Sequence, residues 1–367
     1  MSAGLALSGS LVNDLEAAPM SRAEREFFAA RKGNPLAKVR LNSNENPWGP
    51  SQKAKEAVIQ ILSEGNRYQF QTQEELRKKL AEREKVDPSY IMLGAGSGQL
   101  LCLLGANYGM EGGSVLSSYP TFPLLMNYAQ GMSARWDKVD LNDKLEHDYD
   151  KMLTQIKSDT KVIFVCNPNN PTGTVVDPQK VKAFTLEASK KALVYADEAY
   201  LEFLGPIEDK SMVDLVRRGS NVVVSRTFSK IFGLAGLRMG YIVAHPDVIK
   251  KLQRFGDTIS ASQTAIAAAT ASLGDEQFMQ MVRQKNAEAR KVLTDYLDAK
   301  KFKYGKSEIN VVFFHAPKDG KTILAKTEEK GYLIRVWEYQ GSEWCRVSIG
   351  TTEEMKGFVK AFDEVIS

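Results

Sequence analysis

Four short runs constrain the fold more than any other feature of this chain: "KVIFVC" (Lys161–Cys166), "ALVYA" (Ala192–Ala196), "NVVVS" (Asn221–Ser225) and "GYIVA" (Gly240–Ala244). Each is β-branched and apolar along nearly its whole length, with no alternation of polar and apolar positions. Strands that read this way are covered on both faces, as in a parallel or mixed sheet flanked by helices. Helical patterns such as "DPQKVKAFTLEASK" (Asp177–Lys190) lie between the runs. The expected class is therefore α/β, with a large domain built on a mostly parallel, doubly wound sheet. After a long polar helix, about Asp275 to Lys301, the texture changes. "NVVFFHA", "YLIRVW" and "WCRVSI" read as strands, while "KTILAKTEEKG" and the stretch from Thr352 read as helices. That pattern predicts a small α+β domain. The expected division is an arm over 1–50 that joins the small domain, a large domain over 51–255 and a small domain over 256–367.

In open α/β sheets, ligands bind beyond the carboxyl ends of the strands. The segments that follow the runs, "NPNNPTGT", "DEAYLEF" and "RTFSK", hold most of the unusual chemistry in the chain. Asp197 follows a buried strand directly, and a buried carboxylate needs a partner, either an arginine or a protonated ring nitrogen. "CNPNNPTG" (Cys166–Gly173) is over-determined as a turn, and its Asn170 can donate to a ligand oxygen. "LGAGSGQLL" (Leu93–Leu101) lacks the third glycine of a dinucleotide fingerprint and the lysine of a P-loop, yet a glycine-rich turn that opens a helix presents N–H groups to an anion.

Lys230 decides among these readings. A lysine in partly apolar surroundings loses proton affinity and becomes a nucleophile toward aldehydes. A β-lactamase arrangement needs Ser-x-x-Lys, whereas Thr227 stands three residues before Lys230 and neither accessory triplet occurs. Thr227, Ser229 and Arg238 group around the lysine as a phosphate cradle. A lysine for an aldehyde, an aspartate for a pyridinium nitrogen, Tyr200 and Asn170 for a phenolic oxygen, and hydroxyls with a helix N-terminus for a phosphate together specify pyridoxal 5'-phosphate.

Other classes are disfavoured. The formal net charge of +4 over 367 residues is too weak and dispersed to argue for nucleic acid or membrane lipid. Cys102, Cys166 and Cys345 form no C-x-x-C pair, and His147, His245 and His315 lie far apart, with surface or incidental roles expected, so no metal is expected. No stretch of about 20 apolar residues could span a membrane. The expected location is cytoplasmic. The uncharged start "MSAGLALSGSLV" and the following "EAAPM" leave open that residues 1–18 are the remnant of an export signal.

On these motifs the sequence resembles the fold-type I pyridoxal-phosphate aminotransferases of class I/II, most closely the histidinol-phosphate aminotransferase branch. The resemblance runs from "LNSNENPWGPS" (Leu41–Ser51) to "CRVSIGTTEE" (Cys345–Glu354). It implies that Lys230 bonds the cofactor aldehyde, that Asp197 holds the ring nitrogen protonated, and that Tyr200 and Asn170 bond the ring oxygen. It implies Phe122 as the ring-stacking aromatic. Gly96, Ser97 and Gly98 would form the phosphate turn that Thr227, Ser229 and Arg238 complete. Arg346, Arg335 and Asn46 are implied as substrate residues. Tyr68 of "NRYQF" is implied to reach the neighbouring active site of a homodimer. Two departures stand out: Gln69 and Phe70 follow Tyr68 where the family often has proline, and Arg335 is followed by the bulky, acidic run Val336, Trp337, Glu338, Tyr339. Packing within the small domain is the expected role of Trp337 and Tyr339, with pocket walls the alternative.

The resulting expectation is a ping-pong transaminase that moves an amino group from a small-molecule donor, histidinol phosphate foremost, to a 2-oxo acid, 2-oxoglutarate. An aromatic amino acid transaminase, with Phe122, Trp48 and Trp337 around the side chain, is the alternative. Decarboxylation of a phosphorylated amino acid on the same scaffold comes third, and a non-catalytic cofactor-binding module last.

Overall fold

The computed structural model describes residues 38–68, 70–254 and 261–367. The stretch 1–18, most of the arm and the division at residue 255 fall wholly or partly outside them. Residues 40–367 form one compact unit. Its main sheet has seven strands, β1 (Ile91–Gly94), β2 (Ser114–Tyr119), β3 (Arg135–Asp140), β4 (Thr160–Cys166), β5 (Leu193–Asp197), β6 (Val222–Thr227) and β7 (Gly240–Val243), in the order β1-β7-β6-β5-β4-β2-β3. All neighbouring pairs are parallel except those of β7, which runs antiparallel to both β1 and β6.

The four apolar runs are β4 to β7, and their lack of alternation has the expected cause. Ile163, Val165, Val194, Ala196 and Val224 enter one core, while Val162, Phe164, Leu193, Tyr195 and Val223 enter a second core on the opposite face. The edge strand β3 ("RWDKVD") keeps a charged, largely exposed surface, which discourages pairing with another chain. The connecting helix α2 (Pro178–Ser189) starts on Asp177, whose carboxylate accepts from the N–H groups of Gln179 and Lys180, with Pro178 in the first turn. Another helix, α1 (Gly96–Gly109), follows β1.

A second, antiparallel sheet has the order β9-β10-β8, with β8 (Val311–His315), β9 (Arg335–Tyr339) and β10 (Ser342–Ser348). Gln340 and Gly341 join β9 to β10 with φ of 50° and 67°, the left-handed pair that a two-residue hairpin turn requires. The helices α3 (Glu276–Ala299), α4 (Gly320–Glu329) and α5 (Thr352–Ile366) complete this part of the unit. The described part of the arm is tied in at Leu41, which donates to the Leu333 carbonyl and accepts from the Ser348 N–H, both at 2.8 Å. No helix among the described residues is long and apolar enough to cross a membrane.

In register, Cys166 of β4 lies beside Asp197 of β5, and Asp197 beside Ser225 of β6. The three motifs that follow those strands therefore leave the sheet at the same edge. This common edge is what positions the site.

Candidate active site

Asp197, the last residue of β5, is buried. Its Oδ1 accepts the Ser225 hydroxyl at 3.1 Å and the Ala199 N–H at 3.2 Å. Burial pushes its carboxyl up to about 6 against these hydrogen bonds. Lys230 lies three residues beyond β6. Its Nζ donates to two carbonyls, Asn44 at 3.2 Å and Ser43 at 3.4 Å, and sits 5.4 Å from the centre of the Tyr200 ring. Burial first, and then the charge of Arg346, push the amine down to about 8. An ammonium solvated by carbonyls rather than by a carboxylate gives up its proton readily.

The start of α1 gathers groups that can bind an anion. Ala95 caps the helix without a side-chain acceptor, which leaves the first-turn N–H groups of Gly96, Ser97 and Gly98 without a cap. Gly96 has φ of +75°, and a Cβ there would lie 2.3 Å from the Arg238 guanidinium. Arg238, itself at φ of 62°, donates to the Ser229 hydroxyl at 3.3 Å and to the carbonyls of Ala235 at 2.9 Å and Ala95 at 3.3 Å. Thr227 donates to Ser229 at 3.0 Å. Two hydroxyls, a guanidinium and a helix N-terminus thus converge.

On the other side, Tyr200 and Asn170 are both buried. Arg346 donates through Nη1 to the Asn170 Oδ1 at 3.0 Å and through Nη2 to the Asn42 carbonyl at 2.5 Å, while its buried Nε has no partner. Burial pushes Arg346 down to about 10; Tyr200 works against that shift and Arg335 adds to it. Arg335 stands directly opposite Arg346 on the adjacent strand. Like charges so placed repel, and among the described residues no carboxylate pairs with either one.

The remaining expected residues divide. Phe122 is half-buried at the margin of one core. Asn46 has both ends of its amide engaged within the protein: Nδ2 donates to the Ile231 carbonyl at 2.7 Å and Oδ1 accepts the Trp48 N–H at 3.0 Å. Tyr68 is 90% exposed, with Phe70 stacked on it at 6.1 Å, and no hydrogen bond or ring contact among the described residues joins it to this chain's own site. Tyr339 is buried with Leu141, Leu145, Phe313 and Trp344, and Trp337 packs against the same cluster, so both have a packing role. His147 is buried rather than at the surface. Its Nε2 lies 2.6 Å from the Cys166 carbonyl, and burial pushes it down to about 4, which keeps it neutral.

Several contributors escape a reading of the sequence. Ser225 holds Asp197, and Ser43 and Asn42 act through carbonyls. Asn44 touches Tyr200, Lys230 and Ser348 together. The only trace of this in the sequence is the asparagine-rich "LNSNEN", since Asn tolerates the left-handed backbone found at Asn44, φ 52°.

The model of the family described as aminotransferase class I and II matches residues 37–362. The chain belongs to that family. Among its relatives, a histidinol-phosphate aminotransferase of Halalkalibacterium halodurans is 34% identical over 90% of this chain and 89% of its own length. Histidinol-phosphate aminotransferase 1 of Cupriavidus pinatubonensis is 34% identical over 95% of this chain and 92% of its own. The fold is that of the crystal structure of histidinol-phosphate aminotransferase from Sinorhizobium meliloti in complex with pyridoxal-5'-phosphate, with a TM-score of 0.82, 24% identity and 98% of each chain covered. The donor set of this aminotransferase fits such a cofactor at each end. An amine of lowered proton affinity, a buried carboxylate, the buried Tyr200 and Asn170, and a helix start at Gly96 with the Arg238 guanidinium against it lie at one end of the sheet.

Proposed function

We propose that this pyridoxal-phosphate-dependent aminotransferase takes histidinol phosphate as amino donor and 2-oxoglutarate as acceptor, in a ping-pong cycle. The relatives that carry that name over most of their length support the donor. One observation in the chain itself carries it. Arg335 and Arg346 face each other across adjacent strands, and no described carboxylate neutralises them. Two arginines opposite in register, one exposed and one buried, suit a phosphate monoester in one half-cycle and a carboxylate in the other.

Pyridoxal phosphate, when bound, supplies an aldehyde that takes up the amine and an electron-poor ring that stabilises negative charge at the substrate Cα. The chain supplies the rest. Lys230 would hold the aldehyde, and as a free amine its Nζ would carry the proton from the donor's Cα to the former aldehyde carbon, and back to Cα in the acceptor half-cycle. Asp197 keeps a proton on the ring nitrogen. Tyr200 and Asn170 donate to the ring oxygen, and Phe122 covers a ring face. Ser97, the N–H groups of Gly96 and Gly98, Thr227, Ser229 and Arg238 hold the phosphate.

A second copy of the chain completes this reading. Tyr68 is exposed together with Ile59, Leu62 and Phe70, each more than half exposed on one short stretch. An apolar patch of this kind fits a homodimer in which Tyr68 serves the neighbouring site.

A half-reaction screen tests the substrate. Holoenzyme is mixed with histidinol phosphate, phenylalanine or tyrosine, and conversion of the aldehyde to the amine form of the cofactor is followed by absorbance. Fastest conversion with histidinol phosphate is expected. Faster conversion with an aromatic amino acid overturns the assignment, as does carbon dioxide release from a phosphorylated amino acid without amine transfer.

A further inference from the structure

Asn44 is buried at 1% exposure and makes more connections than any residue assigned above to the cofactor. Its N–H donates to the Ser348 hydroxyl at 2.8 Å, and that hydroxyl donates back to the Asn44 Oδ1 at 2.9 Å. The exchange fixes which end of the amide is the donor. The Nδ2 end then donates to the Tyr200 hydroxyl at 2.9 Å and points at the Asn170 Oδ1 at 3.5 Å. The Asn44 carbonyl accepts from Lys230 at 3.2 Å and from Asn310 at 3.0 Å.

Hydrogen-bond arithmetic gives these contacts a direction. A tyrosine hydroxyl has one proton to donate. Because its oxygen accepts from Asn44, that proton is left for another acceptor. The Asn170 Oδ1 is likewise occupied by Arg346 and Asn44, which leaves the Asn170 amide hydrogens facing elsewhere. We propose that Asn44 is a positioning residue: its amide, clamped by Ser348, holds Tyr200 and Asn170 with their donors turned toward the ring oxygen of the cofactor. This inference rests on the assignment of Tyr200 and Asn170 to that oxygen. It also links the ring to the substrate grip, since Ser348 lies two residues beyond Arg346 on β10.

The test replaces Asn44 by Asp, which is nearly isosteric and tolerates φ of 52°. An ionised carboxylate can only accept, so the Tyr200 proton turns to Asp and the ring oxygen loses its donor. The readout is the pH midpoint of the visible absorbance of lysine-bound cofactor in the holoenzyme. A donor to the ring oxygen lowers the basicity of the nitrogen conjugated with it, so Asn44→Asp should raise the midpoint by about one unit or more. The added charge alone also raises it, and the Tyr200→Phe background measures that part. There the same substitution should shift the midpoint by less than about half as much. Equal shifts in both backgrounds overturn the proposal. An unchanged midpoint in Tyr200→Phe alone removes the ring-oxygen assignment itself. If Asn44→Asp fails to fold, Ser348→Ala in the same two backgrounds decides by the same criterion, with a smaller shift expected.

Discussion

Arg226 of β6 and Arg346 of β10 are buried to 1% and 4% exposure, and their surroundings could hardly differ more. The Arg226 Nη2 lies 2.9 Å from the Glu198 Oε2, and its Nη1 lies 3.5 Å from Glu202 and 3.6 Å from Glu84. The acids are satisfied in turn: Tyr241 donates to Glu84 at 2.6 Å, and the Ser211 hydroxyl and Met212 N–H donate to Glu198. Burial opposes the charge, but Glu84 and Glu198 hold the Arg226 proton well above its ordinary affinity. A groove of about 800 Å³ beside this network is lined by charges of both signs. Among the described residues Arg346 has only amide and backbone oxygens, with an unpartnered Nε and a proton held less tightly than usual. The same residue type at the same depth is thus complete in one place and incomplete in the other. A buried cation whose counter-charge is missing from the chain is one that a ligand is expected to neutralise.

Lys230 belongs to the incomplete kind, and its removal should give the largest effect. Lys230→Ala should abolish the visible absorbance of lysine-bound cofactor and lower turnover by at least about a thousandfold, with little change in thermal unfolding. Turnover close to that of the parent would end the assignment. The opposite pattern is expected at the complete site. Arg226→Ala leaves the buried Glu198 without its cation and Glu84 and Glu202 with Arg83 alone, a loss of about 3–5 kcal/mol in stability, read as a lower unfolding midpoint in denaturant. An unchanged midpoint would mean that the network contributes nothing to the fold.

The pH response separates the sites next. An amine lowered from 10.5 to about 8 loses its proton as pH rises through 8. At pH 7 about one tenth of Lys230 is then free amine, against about one part in three thousand for an ordinary lysine. In protein stripped of cofactor, the rate at which Lys230 reacts with an aldehyde should rise with a midpoint near pH 8. Because the Arg346 charge contributes to the lowering, that midpoint should move up in Arg346→Met. A midpoint near 10.5 in the parent would remove the argument that Lys230 is poised.

Much of the fold and of the candidate site is legible in the sequence, and the parts that are not share a cause. The runs that became β4 to β7 could be read because both of their faces are covered, so that apolar residues are continuous. The strands β1 to β3 escaped: Ser114, Ser117 and Ser118 break the pattern in β2, and β3 is a polar edge. Lys230, Asp197, Tyr200 and Asn170 can be singled out as candidates because each follows a strand that is recognisable locally. Asn44 was not, because its meaning lies in a hydroxyl 304 positions away at Ser348. Arg226 stands in the same "SRTFSK" as Lys230, and nothing local announces that Glu84, far earlier in the chain, lies against it.

Arg346→Met is the smallest expected change in energy and the sharpest test of the comparison. Methionine keeps much of the apolar stem and removes a charge that no described carboxylate neutralises. The loss of two charge-assisted hydrogen bonds to Asn170 and Asn42, about 1.5–3 kcal/mol each, is offset by relief of the burial penalty on the guanidinium. Stability should therefore stay within about 1 kcal/mol of the parent. The anionic substrate, by contrast, loses a charge-assisted contact of about 1.5–3 kcal/mol, so its KM should rise roughly ten- to a hundredfold. Arg226→Met, in which methionine likewise fills the space, should show the reverse, with stability lost and KM nearly unchanged. If both variants lose stability alike, Arg346 is held by the fold as Arg226 is, and its missing counter-charge says nothing about substrate.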